Sequence, residues 1–91
     1  MMTDDTPATP ASRLISRFGV KSLAYWSGRH VSRVYAWAKP ANQGGTGGFI
    51  PVRARRLIVE GALRDNGEAV AWTDFEPQAG EMYAVPGLEA A

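Results

Sequence analysis

The sequence predicts a mainly α fold: about four short helices within residues 12–64, then a short, partly irregular acidic extension. Three observations carry this. Apolar residues recur at helical spacing through the first two thirds of the chain. Glycine and proline punctuate that pattern at Gly19, Gly28 and Pro40. Basic residues stop at Arg64 and acids take over beyond it.

Residues 1–11, MMTDDTPATPA, have no periodicity and read as a disordered arm. Ser12 stands where a helix N-cap belongs. Leu14, Ile15 and Phe18 then share one face of a first helix that Gly19 ends. A second helix spans about 21–27, with Leu23 and Ala24 turned inward and Gly28 as its stop. In the third, Val31, Val34 and Trp37 form one narrow apolar face, and Pro40 blocks continuation. A glycine-rich loop, NQGGTGG, follows. Pro51 fits the first turn of a fourth helix running to about Arg64. Leu57, Ile58 and Ala62 are its expected inward residues, and Arg53, Arg55 and Arg56 its outward ones. DNG at 65–67 is a turn signal. In the extension, 65–91, AVAW reads as a short strand. Thr73 and Glu76 have capping-box spacing, which Pro77 limits to a turn.

The chain has 91 residues, enough for one small domain. It lacks cysteine, which excludes disulfides and thiolate metal sites, and one histidine, His30, cannot hold a metal alone. Neither a metal nor a cofactor is expected. The polar, acidic N-terminus is unlike a signal peptide, and no apolar run approaches the roughly 20 residues of a membrane span. A soluble cytoplasmic protein, with no membrane partner, is expected.

Net charge is +1, yet all ten Lys and Arg lie between Arg13 and Arg64, where Glu60 is the only acid. That block is the electrostatic footprint of a polyanion binder. The competing reading is a solvated basic face.

The stretch VKSLAYWSGRHVSRVYAWAK, residues 20–39, sets two short helices about a glycine turn. The spacing of Leu23, Ala24, Gly28, Val34 and Trp37 resembles the helix-turn-helix of phage Cro-type and CI-type repressors. Ala24 is small where the second helix crosses, Gly28 permits the sharp turn, and Val34 and Trp37 anchor the second helix. Trp37, the loop of residues 44–48, Ile50 and Pro51 are also similar to a group of small bacterial and prophage-like Cro/CI-type regulators. Those carry a GGTGG-hydrophobic-Pro loop after the same helix. The resemblance covers about residues 12–64. It implies double-stranded DNA as partner, a nucleoid location and a binding role without catalysis. The sequence departs from the motif at Ser27, commonly apolar there, and at Tyr25 and Trp26, where polar residues are usual.

The resemblance directs Ser32, Tyr35 and Ala36 into the major groove. Arg29, His30 and Arg33 lie at the start of the recognition helix and Lys39 at its end. Lys21 and Ser22 open the preceding helix, a common place for phosphate contacts. The glycine loop lacks the Lys and the leading strand of a P-loop, so nucleotide binding is not expected. Two readings remain for Gly45, Thr46 and Gly47: a backbone nest for a DNA phosphate, or a tight connector. No cysteine and no paired carboxylate accompanies His30 in this stretch, so an enzyme is not expected. Cro-type proteins commonly act as dimers. Val70, Trp72, Phe75, Tyr83 and Val85, joined by Tyr25 and Trp26, are candidates for a homodimer interface or for covering the chain's own core. The alternatives are an adaptor that contacts RNA polymerase, an antitoxin-like protein, and an excisionase-like accessory factor.

Overall fold

The computed structural model describes residues 9–81. Four α-helices run in order: α1 (Pro10–Phe18), α2 (Val20–Ser27), α3 (Val31–Ala38) and α4 (Val52–Asn66). Short 3₁₀ turns occupy Ala41–Gln43 and Trp72–Phe75. The mainly α expectation holds. No strand occurs among the described residues, so AVAW is corrected: Val70 is buried in the helical core and Trp72 opens a turn. No described helix is long and apolar enough to cross a membrane.

Helix α1 starts earlier than the sequence suggests. Thr9, not Ser12, is the N-cap. Its hydroxyl accepts the Ser12 N–H at 3.2 Å, and the Ser12 hydroxyl accepts the Thr9 N–H at 3.0 Å. This reciprocal box satisfies two backbone donors at once, and Pro10 takes the first helical position. Thr9, Pro10 and Ala11 are buried, so these three belong to the domain rather than to an arm. Residues 1–8 lie outside the described residues. The misreading has a local cause: Thr9 and Ser12 are both good caps, and only burial of Pro10 and Ala11 selects the first.

Leu14, Leu23, Val34, Trp37, Ile50, Ile58 and Phe75 form the centre of the core, each essentially without exposure. Helix α2 makes its most extensive contacts with α4. Trp26 explains how. It is buried, meets Phe18 edge-on at 5.2 Å between ring centroids, and donates its indole N–H to Asp65 at 2.7 Å. Its ring lies over Gly61, where a Cβ would come within 2.3 Å of Trp26 Cγ. Glycine in the middle of a helix costs about 0.5–1 kcal/mol relative to Ala, and here it admits the indole. Ser27 is buried as well, its hydroxyl directed to the Ala24 carbonyl at 3.5 Å. Thus Trp26 and Ser27 both turn inward, and Tyr25 alone of the unusual trio faces solvent, 75% exposed.

Helix α4 buries Ala54, Arg55, Ile58, Gly61 and Ala62. Two expectations are corrected by this rotation. Leu57, expected inward, is 42% exposed, and Arg55, expected outward, is only 3% exposed. Arg55 Nε donates to the Ile50 carbonyl at 2.7 Å, and Nη1 to the Glu76 carboxylate at 3.2 Å. Its guanidinium lies 4.6 Å from the Phe49 ring, 5.7 Å from Phe75 and 5.9 Å from Trp72. Aromatic faces stabilise a cation stripped of water, and the planar guanidinium fits such a stack better than an ammonium would. Val70, Phe75 and Trp26 belong to the chain's own core, which removes them as interface candidates. Trp72 and Tyr25 remain exposed; Tyr83 and Val85 fall outside the described residues.

Candidate nucleic-acid interface

Helix α3 is defined at both ends by unusual caps. Before it, Gly28 adopts φ 72°, ψ 19°, the left-handed conformation that closes α2 and turns the chain. His30 then acts as N-cap: its Nδ1 accepts the Ser32 N–H at 3.1 Å and sits 3.0 Å from the Ser32 hydroxyl. The expected DNA contact at His30 is therefore first a structural acceptor.

The glycine loop closes the other end. Gly45 and Gly47 donate their N–H groups to the carbonyls of Pro40 and Lys39, at 3.1 and 2.8 Å. Thr46 and Gly48 donate theirs to Ala36 and Trp37, at 3.2 and 2.6 Å. The Thr46 hydroxyl lies between the carbonyls of Trp37, at 3.0 Å, and Phe49. Carbonyls at a helix C-terminus lack intrahelical partners, and this loop supplies them. The phosphate nest is therefore overturned, because the donors at Gly45, Thr46 and Gly47 point back at the helix. The tight connector is correct, with a capping role besides. Sterics demand the glycines: a Cβ on Gly45 would stand 2.2 Å from the Lys39 oxygen, and one on Gly48 2.2 Å from Thr9 Cβ. Ala11 N–H donates to the Gly48 carbonyl at 3.1 Å, so the start of α1 clamps the loop from outside.

Between these caps α3 buries Val34 and Trp37 against the core. Its other face presents Ser32, Arg33 and Tyr35, all exposed, with Ala36 half-buried beside them. Arg29 and His30 are exposed just before the helix, and Lys39 just after it. On α2, Lys21 is exposed and Ser22 half-buried.

The basic block divides in two. Arg13 pairs with Glu81 at 2.7 Å, Arg17 with Glu68 and Asp74 at 3.5 and 3.7 Å, and Arg55 with Glu76. Arg56 pairs with Glu60 at 3.4 Å and Arg64 with Asp65 at 2.9 Å. Lys21, Arg29, Arg33, Lys39 and Arg53 have no ion pair among the described residues. Four of these belong to α2, α3 and their flanks, whereas the acids of residues 65–81 gather on arginines of α1 and α4. The Arg13 guanidinium, with the Gln78 N–H, holds the Glu81 carboxyl below the usual carboxylate range. Arg64, and after it the Trp26 N–H, does the same for Asp65. Sequence order alone missed this partition; a signal was present in the near match between arginines outside 20–40 and acids beyond 64.

Among the described residues no cluster of His, Asp or Glu is placed to hold a metal. No protein-family model, no curated protein and no solved structure matches the chain.

Proposed function

We propose that the chain is a sequence-specific DNA-binding transcriptional regulator of the Cro/CI-like type, reading the major groove with the solvent face of α3. The carrying observation is the partition of cations among the described residues: those of α3 and its flanks have no acidic partner there while the remaining arginines, Arg53 apart, are neutralised. Phosphates are the counter-charge that such a face accepts. Arg29, Lys39 and Lys21 take the backbone, which positions the helix. Ser32, Arg33, Tyr35 and the methyl of Ala36 meet base edges, Arg33 having the bidentate geometry for guanine. The glycine loop and His30 hold both ends of α3 in register and touch no phosphate through the loop N–H groups. The role is binding without chemistry, and regulation follows from occlusion or recruitment at a promoter.

Selection of the full chain on a pool of random duplexes tests this. Enrichment of a short motif is expected. Ser32→Ala or Tyr35→Ala should alter that motif, whereas Lys21→Ala should weaken binding to every duplex alike. Absence of enrichment, or a motif indifferent to Ser32 and Tyr35, counts against the reading.

A further inference from the structure

An open groove of about 570 Å³ runs along the outer side of α4, lined by Val52, Arg53, Arg56, Leu57, Glu60 and Trp72. Three of its walls are apolar and bare to solvent: Val52 is 58% exposed, Leu57 42% and Trp72 48%. Arg53, Arg56, Leu57 and Glu60 stand at i, i+3, i+4 and i+7, the four-residue hole that receives one side chain of a facing helix. The charge of the lining is lopsided. Arg53 has no ion pair among the described residues, and the one acid of the lining, Glu60, is already met by Arg56 at 3.4 Å. The first turn of α4 carries neither an acid nor a side-chain cap, so the helix dipole adds to the positive field beside Arg53.

We propose that this groove takes an acidic amphipathic helix of another protein, with a large apolar side chain set between Leu57 and Trp72 and carboxylates beside it on Arg53 and Arg56. The lining selects that occupant against the others. A second copy of the chain would bring the same positive patch against itself. A nucleic-acid phosphate would gain from the arginines, but it offers nothing to Val52, Leu57 and Trp72, and Glu60 repels it. An acidic helix supplies both the apolar knob and the counter-charge. Recognition of a helix in a groove takes this form: apolar anchors hold the helix, and flanking charges choose the partner and its orientation. The Arg56–Glu60 pair is exposed and stabilises little, so Arg56 can share itself with an incoming carboxylate. The lining is small beside a standard interface of some twenty to thirty residues a side. The complex is therefore transient, and it weakens as salt screens the arginines. The proposal does not rest on what α3 touches.

Trp72 reports occupancy of the groove, because Trp26 and Trp37 are buried in the core. The probe is a synthetic amphipathic helix of about fifteen residues with leucines along one face and glutamates beside them. A second peptide has lysine in place of each glutamate. The full chain at low salt, without nucleic acid, is titrated with each peptide from about 10 µM to about 1 mM, a range suited to a contact of this size. The glutamate peptide should move the emission to the blue, protect it from acrylamide, and bind about tenfold or more tightly than the lysine peptide. Trp72→Phe should remove the signal. Arg53→Glu should weaken the glutamate peptide about tenfold, and Arg53→Glu combined with Arg56→Glu should reverse the preference between the two peptides. An acid in the first turn is favoured by the helix dipole, so Arg53→Glu should keep its helicity by circular dichroism. Leu57→Ala, which changes no charge, should weaken the glutamate peptide about fivefold. Equal affinity for the two peptides overturns the proposal, as does binding that Arg53→Glu leaves unaltered. A free chain whose Trp72 is already shielded from acrylamide overturns it too, because the chain then fills its own groove. So does a Trp72 response to a random duplex that Arg53→Glu abolishes, because the arginines then serve nucleic acid. The part played by α3 is read separately, on α3 variants.

Discussion

At His30 a single ring nitrogen fixes where α3 begins, and it can do so only as a neutral acceptor. Removing it with His30→Ala should cost about 1 kcal/mol, and His30→Asn, another capping side chain, should recover most of that; urea unfolding checks both. Gly45 works through space as well as through its N–H bond to Pro40. Its missing Cβ leaves room for the Lys39 and Ala36 carbonyls, which would otherwise stand at 2.2 and 2.4 Å. Gly45→Ala must therefore displace backbone and should cost about 2–3 kcal/mol, at the upper end for single substitutions. Thr46→Ala removes one hydroxyl donor, and about 1 kcal/mol is expected. If the two variants unfold at the same urea concentration, the loop is not packed on α3 as described.

At the scale of elements, α3 was legible because its determinants are local. Val34, Trp37, the Gly28 turn and the stop at Pro40 all lie within one twenty-residue window. What lies outside α3 was less legible, for physical reasons that differ by element. Thr9 and Ser12 offer the same capping chemistry, and the choice between them depends on what Pro10 and Ala11 pack against. The glycine loop can equally wrap an anion or a helix end, since only the direction of its N–H groups distinguishes them. Arg55 on α4 is buried by Phe49, Trp72 and Phe75, which come from both sides of the helix in sequence. No window of α4 contains that information, and an arginine among Arg53 and Arg56 looks like one more surface cation. Its burial makes it the fastener between the loop, α4 and the C-terminal segment. Arg55→Ala strands the Ile50 carbonyl and empties the aromatic stack, and a loss of about 2–3 kcal/mol is expected. Glu76→Gln touches the exposed end of the same pair and should cost less than about 1 kcal/mol. Thermal unfolding of the two variants separates a buried fastener from a surface ion pair.

Over the whole molecule the charge pattern sorts into two layers. Among the described residues, the acids of 65–81 neutralise arginines of α1 and α4, and the cations around α3 have no ion pair. The first layer makes stability pH-dependent. Glu81 is a stronger acid folded than unfolded, owing first to Arg13. Its contribution is complete above the unfolded value, about pH 4.3, and is lost as pH falls through the lower folded value. Glu81→Gln should flatten that part of the acid limb in urea midpoints measured against pH; parallel curves would mean that the pair contributes nothing. The second layer carries the proposed function. Its most direct measurement is duplex affinity against salt, by fluorescence anisotropy, for the full chain and its cation variants. With about three phosphates neutralised per chain, log K should fall with log salt at a slope near −2.7, and alanine at Lys21, Arg29 or Lys39 should each reduce the slope by about 0.9. Arg17→Ala, which removes a cation already paired with Glu68 and Asp74, should leave the slope as it was. A slope that Arg17→Ala changes as much as Arg29→Ala, or no salt-dependent binding to any duplex, would contradict the assignment of the α3 face to DNA.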